Sequence, residues 1–327
     1  MNRRSSILAS AAMLGGGWLG SPHDARAQAF PSKPIRIILP APPGGGSDGV
    51  TRAFSTELAQ RLGQPVIVEA RPGASGNIAS EYVARSAPDG YTLLFAYHAY
   101  AANPALFKNL KFNYRTDFIP LARVAWGPMA ISVNPSVPAH SVSELIALAK
   151  ASPGTLFSGT PGNASGSHIL TEMFNDQFGI KLVHVPYQGS GPMQQDLLGG
   201  RVHLTFDASG NVVSLVKAGR LRMLGVVGDQ RMPTLPEVPT MREEGLTPPP
   251  FLGWYGIFAP KGTPPAIVDI LFKNIAAAAN DPVVVKRLAD MGYIPGVSAS
   301  PTEFNDFFQS EATKMDGVIR TLKITQD

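Results

Sequence analysis

The 327-residue chain has no cysteine, and only 16% of its residues are charged. Without cysteine there can be no disulfide, thiolate metal site, cysteine nucleophile or lipid-carrying N-terminal Cys. The 28 Lys+Arg and 24 Asp+Glu leave a net charge of only +4. The cations are scattered along the chain, whereas a nucleic-acid binder gathers them along one face, so that class is excluded. The six histidines include no i, i+4 pair, so no metal site is expected. Past the first thirty residues no stretch approaches the ~18 uninterrupted apolar residues of a membrane helix. In contrast, hydrophobic residues make up 44% of the chain, enough for a sizeable core, and Gly (33) and Pro (30) are plentiful. Together those two stay below the ~25–30% that marks low-complexity disorder. The length exceeds what one hydrophobic core usually supports, so two lobes are expected.

The N-terminus reads as an export signal. Arg3 and Arg4 precede an apolar run from Ile7 to Leu19, then Ser21-Pro22, then Ala25, Ala27 and Ala29 in A-x-A spacing. Cleavage is expected after Ala27 or Ala29. Loss of Arg3, Arg4, Asp24 and Arg26 lowers the net charge from +4 to +2.

Short apolar runs then alternate with helical patterns. Ile35 to Leu39, Val66 to Val68 and Tyr91 to Ala96 read as strands. Val50, Ala53, Phe54, Leu58 and Leu62 lie on one helical face, and Asn77 to Arg85 forms another helix. The same alternation resumes from Leu156 to Val227, so two α/β units are expected. Two similar segments, Ile131 to Pro135 and Ile257 to Pro260, each end at proline and launch a helix. Taken as passages between lobes, they give residues 30–125 with 250–327 as the first lobe and 126–249 as the second. A short helical turn is expected at Met241 to Gly245.

The turn Pro43-Gly44-Gly45-Gly46-Ser47-Asp48 links a strand to a helix. Free backbone N–H groups and the positive end of the helix dipole favour an anion there. No Gly-Lys-Ser/Thr follows, so it is no P-loop and no nucleotide cofactor is expected. Gly162-Asn163-Ala164-Ser165-Gly166-Ser167-His168 makes a second such turn, Tyr187 to Pro192 a third, and Asp207 ends another strand. Donors from each lobe across a cleft suit a small carboxylate. Gly45 to Gly49 also fits G-x-S-x-G, which leaves a serine hydrolase using Ser47 as an alternative reading. Its position after the first strand, with no histidine and acid singled out by spacing, weighs against it.

In these residues the sequence resembles the substrate-binding proteins of tripartite tricarboxylate transporters, the Bordetella uptake gene (Bug) family. The resemblance rests on Pro31-Ser32-Lys33-Pro34-Ile35-Arg36, the Pro-Pro-Gly-Gly turn with Asp48, Glu69 to Asn77, Ala87 to Leu94 and Asn103 to Leu106. Val183 to Ser190, Leu197 to Gly200, Pro236 to Thr240 and Trp254-Tyr255-Gly256 extend it. It implies a two-lobed α/β periplasmic binding protein fold of type II, each lobe a mainly parallel sheet flanked by helices. It also implies a non-enzymatic, monomeric receptor that delivers an organic carboxylate to the membrane permease subunits. The carboxylates such receptors take are di- and tricarboxylates, acidic amino acids and aromatic acids. A sensory receptor of the same fold is the other role such a protein fills. Carried over, Pro43 to Asp48, Asn77, Gly162, Asn163, Ala164, Ser165, Ser167, His168, Tyr187 and Asp207 are expected to line the cleft.

Two departures stand out. Gly46-Ser47 occupies positions where the family commonly has Ser and Thr. Tyr97-His98-Ala99-Tyr100 replaces small polar residues after the third strand, which adds Tyr97 and His98 to the expected lining. With Trp126, Tyr97 would offer a stacking surface to a planar aromatic acid.

Overall fold

The structure is a computed structural model that describes residues 30–325. The export signal expected over residues 1–29 lies outside the described residues. Strand β1 (Ile35–Leu39) is aliphatic and buried at every position but Arg36. It leads into α1 (Gly46–Leu62), which buries Val50, Phe54, Leu58 and Leu62 on one face and ends at Gly63 in the left-handed conformation. Then come β2 (Val66–Ala70), α2 (Asn77–Ala84), β3 (Thr92–Tyr97), α3 (Ala99–Leu106) and β4 (Phe118–Trp126). The middle of the chain forms β5 (Met129–Val133), α4 (Val142–Ala151), β6 (Phe157–Thr160), α5 (Gly166–Phe178), β7 (Val183–Pro186), α6 (Ser190–Leu198), β8 (Leu204–Ala208), α7 (Ser209–Lys217) and β9 (Arg222–Val227). The chain closes with β10 (Trp254–Pro260), α8 (Pro265–Ala279), α9 (Pro282–Asp290), β11 (Ile294–Pro295) and α10 (Pro301–Leu322). Met241 to Gly245 forms a hydrogen-bonded turn, with Glu243 N–H donating to Thr240 O at 3.1 Å and Gly245 N–H to Arg242 O at 2.9 Å, and does not extend into a helix.

Two sheets result, ordered β11-β4-β10-β3-β1-β2 and β7-β6-β8-β5-β9. The two-lobed α/β expectation holds, but each sheet is mixed rather than mainly parallel. The βαβ strands pair in parallel, β1 with β2 and β3, and β6 with β7 and β8. The strands next to the passages run antiparallel, β10 with β3 and β4, and β5 with β8 and β9. The topology requires this. A chain that leaves the first sheet by β4 and returns by β10 must travel in opposite directions along them.

Only Gly127-Pro128 separates β4 from β5. There the two passages touch backbone to backbone, as Gly127 N–H donates to the Gly253 carbonyl at 2.9 Å. A Cβ at Gly253 would overlap the Gly127 carbonyl oxygen, and one at Gly127 would come within 2.6 Å of the Tyr255 ring. Both positions therefore need glycine.

The larger buried hydrophobic cluster is continuous across both sheets. It joins Leu94, Trp254, Phe258 and Phe304 to Ile131, Leu170, Phe174 and Phe206. Helix α10, capped by Ser300 accepting from Glu303 N–H, seals it by burying Phe304, Phe308, Met315 and Ile319. A second cluster, including Met193, Val202, Val212 and Met223, packs within the second lobe.

Candidate functional site

Because β1, β2 and β3 are parallel, the turns into α1, α2 and α3 share one sheet edge. For the same reason the turns from β6, β7 and β8 into α5, α6 and α7 share an edge of the second sheet. The two edges meet. Gly46 N–H, at the start of α1, donates to Asn211 Oδ1 on α7 at 3.0 Å. The His98 ring, from the end of β3, sits so close to Gly166 at the start of α5 that a Cβ there would overlap it. Six helix N-termini therefore converge where open α/β sheets hold ligands. Their turns, residues 40–48, 71–77, 97–99, 160–168, 186–190 and 207–211, contain a single basic residue, Arg71, whose guanidinium pairs with Glu69 and lies 3.7 Å over the Tyr82 ring.

In the first turn, Pro43 and Gly44 are exposed and Gly44 takes φ +86. Gly45 occupies the N-cap with no side-chain cap. Asp48 folds back on its own turn, with Oδ2 accepting from Gly44 N–H at 3.0 Å and Oδ1 pairing with Arg52 at 2.8 Å. It thus braces the turn and has its charge neutralised. Ser47 has no hydrogen bond from its hydroxyl and no histidine partner among the described residues, and only its carbonyl is used, by Thr51. Gly46 is confined: a Cβ there would overlap the Tyr293 hydroxyl and come within 2.7 Å of Asn211 Oδ1. Any side chain at this position would collide with Tyr293.

The neighbouring turn into α2 runs through four consecutive left-handed residues, Gly73, Ala74, Ser75 and Gly76. Two of them carry a Cβ, so the turn is strained, and side chains from β3 and α3 hold it. Asn103 Nδ2 donates to Ser75 O at 3.0 Å and to Asn77 Oδ1 at 3.2 Å. Tyr97 hydroxyl donates to Ser75 O at 3.3 Å. Asn77 Oδ1 also accepts from Tyr114 at 2.8 Å, while its buried Nδ2 has no partner. His98 is half-buried against Tyr97 and Phe251 with its Nδ1 out of solvent, and desolvation pushes its pKa down to about 4, so it is a neutral wedge between the lobes. Burial likewise raises the Tyr97 phenol to about 12.

In the second lobe, Gly162 (φ +150) and Asn163 lead into Ala164, a left-handed alanine (φ +58). Ser165 caps α5 by accepting from His168 N–H at 3.3 Å. Ser167 and His168 are both buried. His168 lies behind the turn, its Nδ1 accepting from Ala164 N–H at 3.1 Å. Tyr187 donates its hydroxyl to Asp196 at 2.8 Å. Asp207, at the end of β8, is buried, and burial lifts its pKa to about 6. Its Oδ1 accepts from Ala208 N–H and Asn211 Nδ2, both at 2.8 Å, and its Oδ2 has no partner.

The edges therefore bring together Gly46, Tyr97, His98, Ser165 and, through Asn211, Asp207. They turn Asp48 and His168 to supporting work. Sequence reading missed Asn211, Tyr293 and the left-handed run 73–76. Trp126 is not free for stacking, with Arg123 3.9 Å over its ring and Phe307 against its edge. An open groove of about 740 Å³ lies elsewhere, beside Lys33, Arg36, Tyr82 and Arg85. Opposite charges already pair along it, Lys33 with Asp89, Arg36 with Glu69 and Arg85 with Glu81, so it offers no unneutralised cation to an anion.

Comparison with known proteins agrees with this architecture. Protein BugT of Bordetella pertussis is 36% identical over 298 residues, 90% of each chain. A solved R. palustris protein with adipate superposes with a TM-score of 0.85 at 34% identity, covering 90% of this chain and 99% of its own. MatC from Rhodopseudomonas palustris, with bound malate, gives a TM-score of 0.81 at 30% identity, covering 89% and 100%. Residues 50–324 match the profile described as tripartite tricarboxylate transporter family receptor. The resemblance carried by the glycine-rich turns and the motifs around them is borne out, and the chain belongs to the tripartite tricarboxylate transporter family receptors, the Bug-type solute-binding proteins.

Proposed function

We propose that the protein is an exported periplasmic receptor. It captures a small aliphatic di- or tricarboxylate between the two sets of turns and hands it to the membrane permease of a tripartite transporter. The observation that carries this reading is the facing of helix N-termini from two lobes with no unpaired basic side chain among them. Each N-terminus favours negative charge by about 0.3–1 kcal/mol, and by about 2 when partly buried. Two facing sets suit a ligand with a carboxylate at each end. The adipate and malate bound by two solved relatives point the same way. Arg123 over one face of Trp126 and Phe307 packed at right angles to the ring favour an aliphatic ligand over an aromatic one stacked there.

Closure would bend the chain at its two passages, beside Gly127 and Gly253, between lobes 30–125 with 250–327 and 126–249. Only a ligand that touches both lobes stabilises the closed form. Water bridges would let one cleft accept several acids. The proposal makes no use of Ser47 as a nucleophile. Thermal-shift measurements with adipate, malate, aspartate and benzoate test the reading. Ligand at ~100 times Kd adds about 2.7 kcal/mol of stability, a rise of several degrees at most. If no acid raises Tm, the reading fails.

A further inference from the structure

Behind the turn that opens α5, His168 on α5 and His184 on β7 lie face to face, with ring centroids 3.7 Å apart and planes within 5°. The hydrogen bonds assign their protons. His168 Nδ1 accepts from Ala164 N–H, so the proton sits on Nε2, which faces Glu172 Oε1 at 4.0 Å. Thr160 Oγ1 donates to Gly162 O at 3.2 Å, so it accepts from His184 Nε2, 2.7 Å away. Glu172 from α5 and Thr160 from β6 are the polar groups set against the pair, and no Lys or Arg bonds either ring among the described residues. Burial pushes both imidazoles down to about 4, and two cations at this separation would repel, so both rings are neutral at neutral pH.

Ala164 is fully buried and left-handed, a conformation its Cβ disfavours. Residues 164 to 168 lock it in both directions, since Ser165 Oγ accepts His168 N–H while the His168 ring accepts Ala164 N–H. This is a capping box in which histidine takes the part usually played by Glu or Gln and reaches one residue further back. The first N–H groups of α5, those of Gly166 and Ser167, have no acceptor within the helix, and their direction follows from this kink.

We propose that His168 is a positioning residue: by accepting the Ala164 N–H, its Nδ1 holds the left-handed kink that aims the Gly166 and Ser167 N–H groups into the cleft. His184 and Thr160 hold that ring in place from behind. The inference rests on the reading that these N–H groups receive a carboxylate.

Calorimetric titration of adipate and malate into the full-length exported protein at pH 7.5 tests it. His168→Leu, which removes the acceptor, weakens the binding seen in wild type at least tenfold. His168→Asn, whose Oδ1 stands where Nδ1 stood, stays within threefold. Adding Ala164→Gly to His168→Leu recovers at least a third of the lost affinity, because glycine takes the left-handed conformation unaided. If the leucine variant does not fold, His168→Gln, whose acceptor lies one methylene too far, takes its place. Nitrogen-15 spectra decide the matter without ligand. They should show the Nε2–H tautomer at His168, and Gly166 and Ser167 amide signals that move in His168→Leu but not in His168→Asn. An Nδ1–H tautomer, unmoved amides, or leucine-variant binding equal to wild type overturns the proposal. Wild type that binds neither acid, while the tautomer and amides behave as stated, counts against the carboxylate reading and leaves the role of His168 in shaping the turn intact.

Discussion

The turns that open α1 and α5 do the same job with different materials. The turn at Pro43 to Asp48 is made of glycines, with no side-chain cap, and its first helical N–H is satisfied from the opposite lobe by Asn211. The turn at Gly162 to His168 is held by its own side chains, through the Ser165 cap and the His168 acceptor. One is completed only when the lobes meet, whereas the other is already shaped before they do. The glycine-built turn can approach a partner closely but depends on closure, and the side-chain-built turn is rigid but cannot be crowded.

The strongest way to break the comparison is to change how the lobes meet. Gly253→Ala places a Cβ onto the Gly127 carbonyl oxygen, with backbone on both sides and no side chain able to move away. A loss above about 3 kcal/mol is expected, seen as a collapsed melting temperature by circular dichroism or no folded protein. Next comes Asp207, which orients Asn211 and so completes the glycine-built turn from afar. Its native pKa of about 6 lies above the ordinary 3.8, so the native state binds more protons between those values. Stability from this group therefore falls as pH rises through that window. Asp207→Asn should raise stability by on the order of 2–3 kcal/mol above pH 6, and the gain should shrink towards pH 4 in melting curves.

Gly46→Ser tests the glycine-built turn directly. Its Cβ would strike the Tyr293 hydroxyl and crowd Asn211. A loss of about 1–3 kcal/mol is expected, with at least tenfold weaker binding of adipate or malate in wild-type-calibrated titrations. Adding Tyr293→Phe relieves one of the two conflicts and recovers part of the stability. The smallest effects compare the two serines. Ser165→Ala removes a cap and should cost about 1 kcal/mol in urea unfolding. Ser47→Ala removes a hydroxyl with no partner and should fall within about 0.5 kcal/mol of zero. Equal losses at both positions would erase the distinction between the turns.

Much of this arrangement was legible in the sequence, for physical reasons. The run Ile35 to Leu39, aliphatic at every position but Arg36, matches β1 residue for residue, because four large aliphatic residues in five positions, closed by proline and glycine, suit a buried strand. The glycine-rich turns were visible because they punctuate periodic segments. Strand β4 was hidden because Pro120 and Arg123 interrupt its apolar pattern. Arg123 is nonetheless buried, its guanidinium donating to Gly296 O and lying over Trp126. Helix α7 starts at Ser209, earlier than its apolar periodicity suggests, because it follows β8 without a connecting loop. Asn211 and Tyr293 could not be read at all. Their partners lie far away in sequence, 165 residues in the case of Gly46 and Asn211, and no local pattern records a contact of that range.

The position of β10 between β3 and β4 also sets the order in which the chain becomes a structure. All five strands of the second sheet lie within residues 129–227, so that sheet can pair as soon as its own segment is available. The first sheet cannot. The edge of β3 beside Tyr97 stays unpaired until Tyr255 arrives. Closing a loop of that length adds only a modest entropic cost, but contacts so distant in sequence form slowly. The inserted lobe can therefore mature first, while the lobe that begins the described chain is finished last, by the segment that ends it.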